Sequence, residues 1–357
     1  NIMYRRSENM WAQTMGLAVE NFYTLQNGLD VLIRNDLTRK QINSLYATAS
    51  LSWDDMFYLD LTARNDWSSS LNSDNRSYFY PSVGASWLFT ESLERWESKP
   101  SFLDYGKLSL SWAQVGNDAD PYQLYNWRTV NVDHKTGNLT TTKGDVDALY
   151  DLKNETINSW EIGLELKALN NRIGLDFAYY NKEAKDQILK MNVTETTGTY
   201  YKYVNAGNIR NRGVELMLTG TPVLTKDFQW DIALNWSKNS NKILELAPGA
   251  ESQDLGHASY ASMVRIYANE GGTYGDLWGS TLKRDDQGNL LLTDKGMPIK
   301  VSALSKLGNA NPDWMGGITN TFRYKGFDLS FQIDMRYGGD VYMGSIRTGT
   351  NAGTLEK

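Results

Sequence analysis

The sequence has 357 residues, and its 36 Lys and Arg against 42 Asp and Glu give a formal net charge of −6. This acidic balance argues against a general nucleic-acid binder, which needs a basic face. The absence of cysteine excludes disulfides and thiolate metal sites, and two histidines leave little room for a histidine-based site. Aromatic residues nevertheless make up 12% of a chain whose mean hydropathy is −0.51. This mixture is typical of a membrane β-barrel, because each strand averages an apolar face with a polar one.

The leading segment, residues 1–42, gives no decisive periodicity, and we expect a loop or a partial strand there. Residues 11–20 fit either a strand or a short helix. No apolar stretch follows Arg5 and Arg6, so the beginning of the sequence does not resemble a signal peptide. No run of about 20 apolar residues occurs, which excludes a transmembrane helix.

From residue 43 to residue 343, apolar and polar side chains alternate with the period of two of a β-strand. Leu51 and Trp53 fall on one face of the first segment, for example, and Ser50 and Ser52 fall on the other. Several segments approach the ~9–11 residues that cross a bilayer at a tilt. The predicted strands are 46–53, 57–64, 78–89, 107–112, 160–167, 173–179, 213–219, 230–237, 317–324 and 327–336.

Two features favour a transmembrane barrel over a soluble antiparallel sheet with one solvated face, the alternative that we keep open. Aromatic residues often stand at one end of the apolar face, as the girdles of a membrane barrel require. Full charges stand in mid-strand on the polar face, where a wet lumen would tolerate them. These charges are Asp60, Glu161, Glu165, Asp176, Asp231, Asp328 and Asp334.

The connections alternate in length, as they do in outer-membrane barrels, where short turns face the periplasm and long loops face outward. The short ones are 54–55, 169–172, 221–227 and 325–326, and the long ones are 65–77, 116–156, 182–211 and 244–313. The connection 90–104 is intermediate in length and falls on the short side. Residues 344–357 are expected to begin a further extracellular loop.

Seven short runs, in this order and spacing, resemble the SusC/RagA family of TonB-dependent outer-membrane transporters. They are INSLYATAS at 42–50, RNDWSS at 64–69, YFYPSV at 78–83, VGNDADPY at 115–122, NAGNIRNRGVE at 205–215, LGNANP at 307–312 and YGGDVY at 337–342. Glycines and Asn–Asp runs usually form turns, so these runs indicate the architecture and not a binding site. Gly207 and Gly213 predict a tight return into a strand, and Gly338 and Gly339 predict a break or bulge.

The resemblance implies a 22-stranded barrel in the outer membrane of a Gram-negative, Bacteroidota-type bacterium. It implies import of a nutrient, usually an oligosaccharide and sometimes a peptide, with energy supplied through TonB. It also implies a SusD-like surface lipoprotein at the extracellular mouth. We find no plug domain or TonB box in the sequence, so we expect a fragment of the barrel wall surrounded by outer-membrane lipid.

Catalysis is not expected, because the paired acids at 118/120, 145/147 and 285/286 are typical of solvated turns, and residues 284–289 suggest a hairpin turn. Asp118 and Asp120 offer the oxygen ligands that calcium prefers, although without EF-hand spacing. No other cofactor is predicted.

Aromatic side chains in the predicted loops are the candidates for contact with a ligand or with the lid protein, because rings stack on sugars and anchor interfaces. Arg64 and Arg336 lie near the rim, where they could orient a ligand or pair with Asp60 and Asp334. The aromatic candidates are Tyr122, Tyr125, Trp127, Tyr200, Tyr201, Tyr203, Tyr274 and Trp278.

Two other functions remain open at this point. A secreted or surface β-rich adhesin could bind glycans through the same aromatic loops, but its apolar faces would be covered by protein. A porin-like passive channel would share the barrel but would work without TonB.

Overall fold

The computed structural model describes residues 1–132, 136–194, 196, 198–257 and 264–354. Within these residues the chain forms eighteen strands, two α-helices and a 3₁₀ turn at Leu25–Asn27. The strands are β1 (Ile2–Leu17), β2 (Gly28–Trp53), β3 (Phe57–Ser68), β4 (Ser77–Leu88), β5 (Leu103–Asn117), β6 (Arg128–Val132), β7 (Leu139–Lys143), β8 (Val146–Asp147), β9 (Glu155–Ala168), β10 (Ile173–Asn192), β11 (Tyr201–Leu224), β12 (Phe228–Glu245), β13 (Ser252–His257), β14 (Val264–Asn269), β15 (Asp276–Leu282), β16 (Lys300–Asn309), β17 (Trp314–Tyr324) and β18 (Phe327–Tyr337). The helices are α1 (Phe89–Arg95) and α2 (Gly344–Ala352).

One large antiparallel sheet contains all ten strands predicted from the alternation, which confirms the predicted fold class. Its order is β1-β2-β3-β4-β5-β9-β10-β11-β12-β17-β18, and β8 adds a short parallel pairing to β11. The strands β13–β16 form a separate four-stranded sheet, and β6 pairs with β7. Neighbours along the chain are neighbours in the large sheet, as in an up-and-down barrel wall.

The register of the large sheet sets the predicted apolar side chains side by side in continuous rows. One row runs through Leu51, Leu59, Ala85, Leu110, Ile162 and Tyr179. Four of its members are exposed, with 58% of Leu51 and 54% of Leu110 accessible, and Leu59 and Tyr179 are half-buried. None of the described residues forms a layer over the row. Most of the buried apolar side chains lie instead toward the long connections, in clusters around Leu152 and Ile243.

On five strands, β3, β4, β12, β17 and β18, an aromatic side chain stands at each end of this apolar face. The two aromatic residues of each pair are eight or ten residues apart. At ~3.3 Å per residue and a tilt of ~40°, this spacing spans roughly 20–25 Å, the height of a lipid-facing band. At the short-turn end the rings of Trp53, Phe57 and Trp87 stack with centroids 5.7 and 5.9 Å apart. The pairs are Phe57 and Trp67, Phe79 and Trp87, Phe228 and Trp236, Trp314 and Tyr324, and Phe327 and Tyr337.

The opposite face of the sheet is polar and lines a large cavity, whose wall includes Glu161, Glu165, Asp176 and Glu215. Small residues at the centre of this wall, such as Gly163 and Ala178, leave the space open. Some of the wall carboxylates are paired across strands. Lys107 Nζ lies 2.8 Å from Glu165, and Arg323 Nη1 lies 2.5 Å from Asp231. The mid-strand charges predicted for a wet lumen thus lie on one water-accessible side.

Three predicted long loops contain regular structure, and one of them, 116–156, holds β6, β7 and β8. The strands β10 and β11 continue to Asn192 and from Tyr201, so most of 182–211 is a hairpin arm, and 244–313 holds the four-stranded sheet. The predicted tight return at Gly207 and Gly213 is therefore wrong. Gly213 lies within β11, where an added Cβ would lie 2.3 Å from the Tyr180 ring. Strand pairing satisfies backbone groups that long loops would leave to water.

The two ends of the described chain also contain regular structure. Residues 1–42, left open between a loop and a partial strand, form β1 and most of β2, which pair as an antiparallel hairpin. The segment from residue 344 begins with α2 and not with irregular loop, and residues 355–357 lie outside the described part. In the described part of the chain, neither helix is long and apolar enough to cross a bilayer.

Candidate ligand-contact site

Three of the predicted ligand-contact rings lie together in the connection between β5 and β9. Trp127 meets Tyr122 edge to face at 6.1 Å and meets Tyr125 at 6.5 Å. Tyr150, which the sequence did not single out, lies 5.8 Å from Tyr125. These four rings, which we call the aromatic patch, have exposed fractions of 46%, 56%, 61% and 54% in chain order. They present ring surface to solvent on the long-loop side of the sheet.

Backbone hydrogen bonds hold two of these rings in place. The indole N–H of Trp127 donates to the Tyr122 carbonyl at 2.9 Å. The Tyr122 hydroxyl accepts from the backbone N–H of Arg39, on β2, at 3.0 Å. Tyr122 has a φ of +70°, a conformation that bulky residues rarely adopt. The rings are therefore exposed and yet fixed in orientation.

A buried ion pair fixes the beginning of the same connection to the wall. Asp118 accepts from Lys40 Nζ at 2.5 Å and from Ser70 Oγ at 3.0 Å, and also from Ser68 Oγ. The two charged side chains are only 7% and 13% exposed. Protein donors thus occupy the carboxylate that we considered for calcium. Among the described residues no three His, Cys, Asp or Glu are arranged to hold a metal ion, and we do not propose one at Asp118.

Both predicted arginines bind protein groups at the rim. Arg64 donates two hydrogen bonds to the Asp66 carboxylate, at 2.8 and 3.0 Å, and Arg336 donates to the Ala310 carbonyl at 2.8 Å. Of the two alternatives left open for these arginines, the pairing with Asp60 or Asp334 is wrong. Those acids accept instead from Ser50 and from Gln332, each at 2.6 Å. The arginines stabilise the rim, and neither guanidinium joins the aromatic patch.

The remaining predicted rings are spread over other elements. Tyr201 and Tyr203 lie on β11 and not in a loop, and Tyr203 packs against the buried cluster around Leu152. The ammonium of Lys190 lies 4.0 Å from the centre of the Tyr201 ring. Tyr200 is exposed just before β11, and its backbone N–H donates to the Asp145 carbonyl at 3.0 Å.

Tyr274 and Trp278 belong to the four-stranded sheet. Tyr274 lies in the turn before β15 and is about half exposed, whereas Trp278 is half-buried on β15. In the described part of the chain the Trp278 indole N–H has no hydrogen-bond partner. Neither the Tyr274 ring nor the Trp278 ring packs against the rings of the aromatic patch. The eight predicted rings therefore do not form one site.

The predicted hairpin turn is present at residues 284–289, whereas Asp118 of the 118/120 pair is buried beside Lys40 and Asp147 lies on β8. Asp285 Oδ1 accepts from the backbone N–H groups of Gln287 and Asn289, at 3.0 and 2.8 Å. Together with the Asn289 side-chain amide, these bonds hold the pKa of the Asp285 carboxyl below its ordinary value. Asp147 pairs with Lys143 at 3.0 Å. Asp285 and Asp147 are therefore held by contacts within the protein.

A polar junction joins the four-stranded sheet to the barrel wall, and it explains two of the sequence runs. Asn309, from LGNANP, donates to Asp276 Oδ1 at 2.7 Å and through its backbone N–H to Asp340 at 2.8 Å. Asp340 belongs to YGGDVY and approaches so closely that a Cβ on Gly308 would lie 2.1 Å from its carboxylate. The two runs therefore interlock, and β18 ends beside them at Tyr337.

The junction is expected to weaken in acid. Burial raises the pKa of Asp276, but hydrogen bonds from Lys306, Thr273 and Asn309 outweigh it and hold that pKa below the ordinary value. Such a group stabilises the fold above its unfolded pKa of about 4, and that stability is lost as the pH falls through the folded pKa. We expect hydrogen exchange at β15 and β16, corrected for intrinsic rate, to speed up below about pH 4 in the wild type. Asp276→Asn should exchange faster at neutral pH and show little further acid effect, and an acid response retained by this variant would contradict the assignment.

Comparison with known proteins decides the family. Residues 4–356 match the family described as "TonB dependent receptor-like, beta-barrel". The chain belongs to this TonB-dependent receptor family. Among its curated relatives, TonB-dependent receptor P26 of Formosa agariphila is 29% identical over 87% of this chain, and TonB-dependent receptor SusC of Bacteroides thetaiotaomicron is 26% identical over 89%. The resemblance to SusC/RagA proteins is thus confirmed.

Solved structures agree with this TonB-dependent receptor fold. The structure of the RagAB peptide importer in its "closed-closed" state matches 95% of the chain with a TM-score of 0.77 at 20% identity. The chain covers 38% of that structure's chain and 33% of each of the two relatives P26 and SusC. It therefore spans about a third of the length of its curated relatives.

Proposed function

We propose that this chain is part of the wall of an outer-membrane transporter that imports a nutrient by TonB-dependent active transport, and that it is not an enzyme. The observation that supports this most strongly is the exposed apolar face, bounded at both ends by aromatic rings and backed by a polar face. Lipid suits the first face and water suits the second. An open sheet cannot span lipid, because its edge N–H and C=O groups lack partners. The other strands of a 22-stranded barrel would come from outside this chain.

The proposed location is the outer membrane of a Gram-negative bacterium of the Bacteroidota type. The proposed partners are a SusD-like lipoprotein at the extracellular mouth and TonB, which would bind a region outside this chain. The similarity to SusC supports this assembly. The nutrient would be an oligosaccharide or a peptide.

The adhesin alternative has less support. It requires a protein layer over the apolar rows, and none of the described residues provides one. No observation favours a passive channel over an active importer, so the decisive experiment is on the energy source.

The experiment is growth and uptake in the native host on a single nutrient that requires the complete gene product. We expect deletion of tonB to abolish uptake as fully as deletion of the gene itself. Outer-membrane fractions should retain the protein in the tonB strain, which controls for assembly. Uptake that survives the loss of TonB would support the passive channel and would contradict the proposal.

A further inference from the structure

We propose that the aromatic patch, Tyr122, Tyr125, Trp127 and Tyr150, binds a neutral oligosaccharide at the outer end of the wall. This inference rests on the proposed import function for its place in transport, but its chemistry is argued from the patch alone. The proposed site consists of these four rings only, because the other aromatic candidates lie on other elements.

The exposure of the patch needs a physical reason. Four neighbouring rings keep roughly half of their surface in solvent, although each lies within a few residues of Leu124 or Leu152 in the sequence, and both of these belong to a buried cluster. Aromatic surface that is left exposed in a contiguous group commonly marks an interaction site. Rings that served only to pack the loop would turn toward this cluster, as Tyr203 does.

The patch is also organised before any ligand arrives. Trp127 is fixed through its indole N–H and Tyr122 through its hydroxyl. Asp118, four residues before Tyr122, ties the loop to the wall through Lys40. A ligand would therefore lose little of its binding free energy to ordering these side chains.

Two polar groups beside the rings are already engaged within the protein. The Asn126 amide is already bonded at both ends, to Asp147 at 3.2 Å and to the Ala148 N–H at 2.7 Å. Asp147 is neutralised by Lys143. Among the described residues, the hydroxyls of Tyr125 and Tyr150 have no hydrogen-bond partner.

A pyranose fits what the rings still offer. Its C–H face stacks on an aromatic face, and its uncharged hydroxyls can both donate to and accept from phenol groups. A peptide would also bring backbone amides and charged groups. The Asn126 amide and the Lys143–Asp147 ion pair, which could bind such groups, are already bonded within the protein. We therefore assign the patch to oligosaccharide, and peptide binding becomes an outcome that the test must exclude.

The test measures binding to the complete protein in detergent, with neutral glucan, mannan and xylan hexasaccharides as probes. We expect at least one probe to bind and to shift Trp fluorescence. The variant Tyr125→Ala/Trp127→Ala/Tyr150→Ala should weaken that binding by about tenfold or more, which is the effect of losing a few ring contacts. Trp127→Phe, which keeps a ring, should retain most of it. Tyr23→Ala is the control, because Tyr23 is an exposed ring in the turn between β1 and β2 and is not among the ligand-contact candidates.

Three outcomes would overturn the inference. In the first, the triple variant binds the hexasaccharide as tightly as the wild type. In the second, a tryptic casein digest binds through the patch and no hexasaccharide does. In the third, the triple variant loses binding of the SusD-like lipoprotein but keeps binding of the hexasaccharide. Correct folding is checked by heat-modifiable migration of each variant. TonB-dependent uptake that persists unchanged in the triple variant refutes the sugar site and leaves the import function standing. Uptake without TonB refutes the import function, whatever the patch binds.

Discussion

Arginine in place of Leu164 is expected to abolish assembly of the protein in the outer membrane. Leu164 lies on the apolar face of β9, midway between the Trp160 girdle position and the end of the strand at Ala168. A cation at the middle of the lipid-facing band costs about 2–4 kcal/mol, a large part of the ~5–15 kcal/mol that stabilises a typical native fold. Loss of the heat-modifiable band from outer-membrane fractions is the measurement.

The control separates membrane contact from general damage to the sheet. Leu218 and Met217 are neighbours on β11 with almost equal exposure, 40% and 43%, but they lie on opposite faces. Leu218→Arg should impair assembly, whereas Met217→Arg places the cation opposite Asp176 on the polar wall and should be tolerated. Equal tolerance of both arginines would favour a soluble sheet. Equal loss would show that the strand rejects arginine for reasons unrelated to lipid.

Much of the wall could be predicted from sequence because a strand with lipid on one side and water on the other shows its period of two in the side chains. Residues 160–167 and 173–179 show this clearly, and both segments form strands as predicted. The hairpin arms were missed because, beyond the membrane, water lies on both faces. In 182–192 charged and polar residues therefore stand on either side of the strand, and the alternation disappears although the backbone pairing continues.

The site was less predictable because it depends on partners far away in sequence. Simple strand geometry would have excluded the pairing of Arg64 with Asp60. Asp60 lies four residues from Arg64, ~13 Å along the strand, whereas Asp66 is two residues away on the same face. No local signal points to the bond between Tyr122 and Arg39, which joins residues 83 apart. Tyr150 could have been included as an aromatic in the same predicted loop as Trp127, but its proximity to Tyr125 required the fold.

The buried pair of Lys40 and Asp118 should control the whole loop that carries the aromatic patch. Asp118→Asn leaves the Lys40 ammonium buried without its counter-charge, a change that typically costs 3–5 kcal/mol. We expect the described residues of 118–156 to open at least about a hundredfold more often, because each 1.4 kcal/mol is a factor of ten. This would be seen as faster hydrogen exchange and as new protease cleavage in intact cells. The exposed neighbour Asp120 supplies the control, since Asp120→Asn removes the same charge outside the pair.

The double variant Lys40→Met/Asp118→Leu tests whether the charge imbalance is the cause. Replacing both members of a buried pair by apolar side chains is often close to neutral. Ser68 and Ser70 would each lose an acceptor, but their hydroxyls lie 2.8 Å apart and can bond each other. Protection of 118–156 should therefore return most of the way to wild type, and hexasaccharide binding should return with it. If the double variant is as open as Asp118→Asn, the loop depends on the shape of the Asp118 side chain and its hydroxyl donors, and the ion pair is not what holds it.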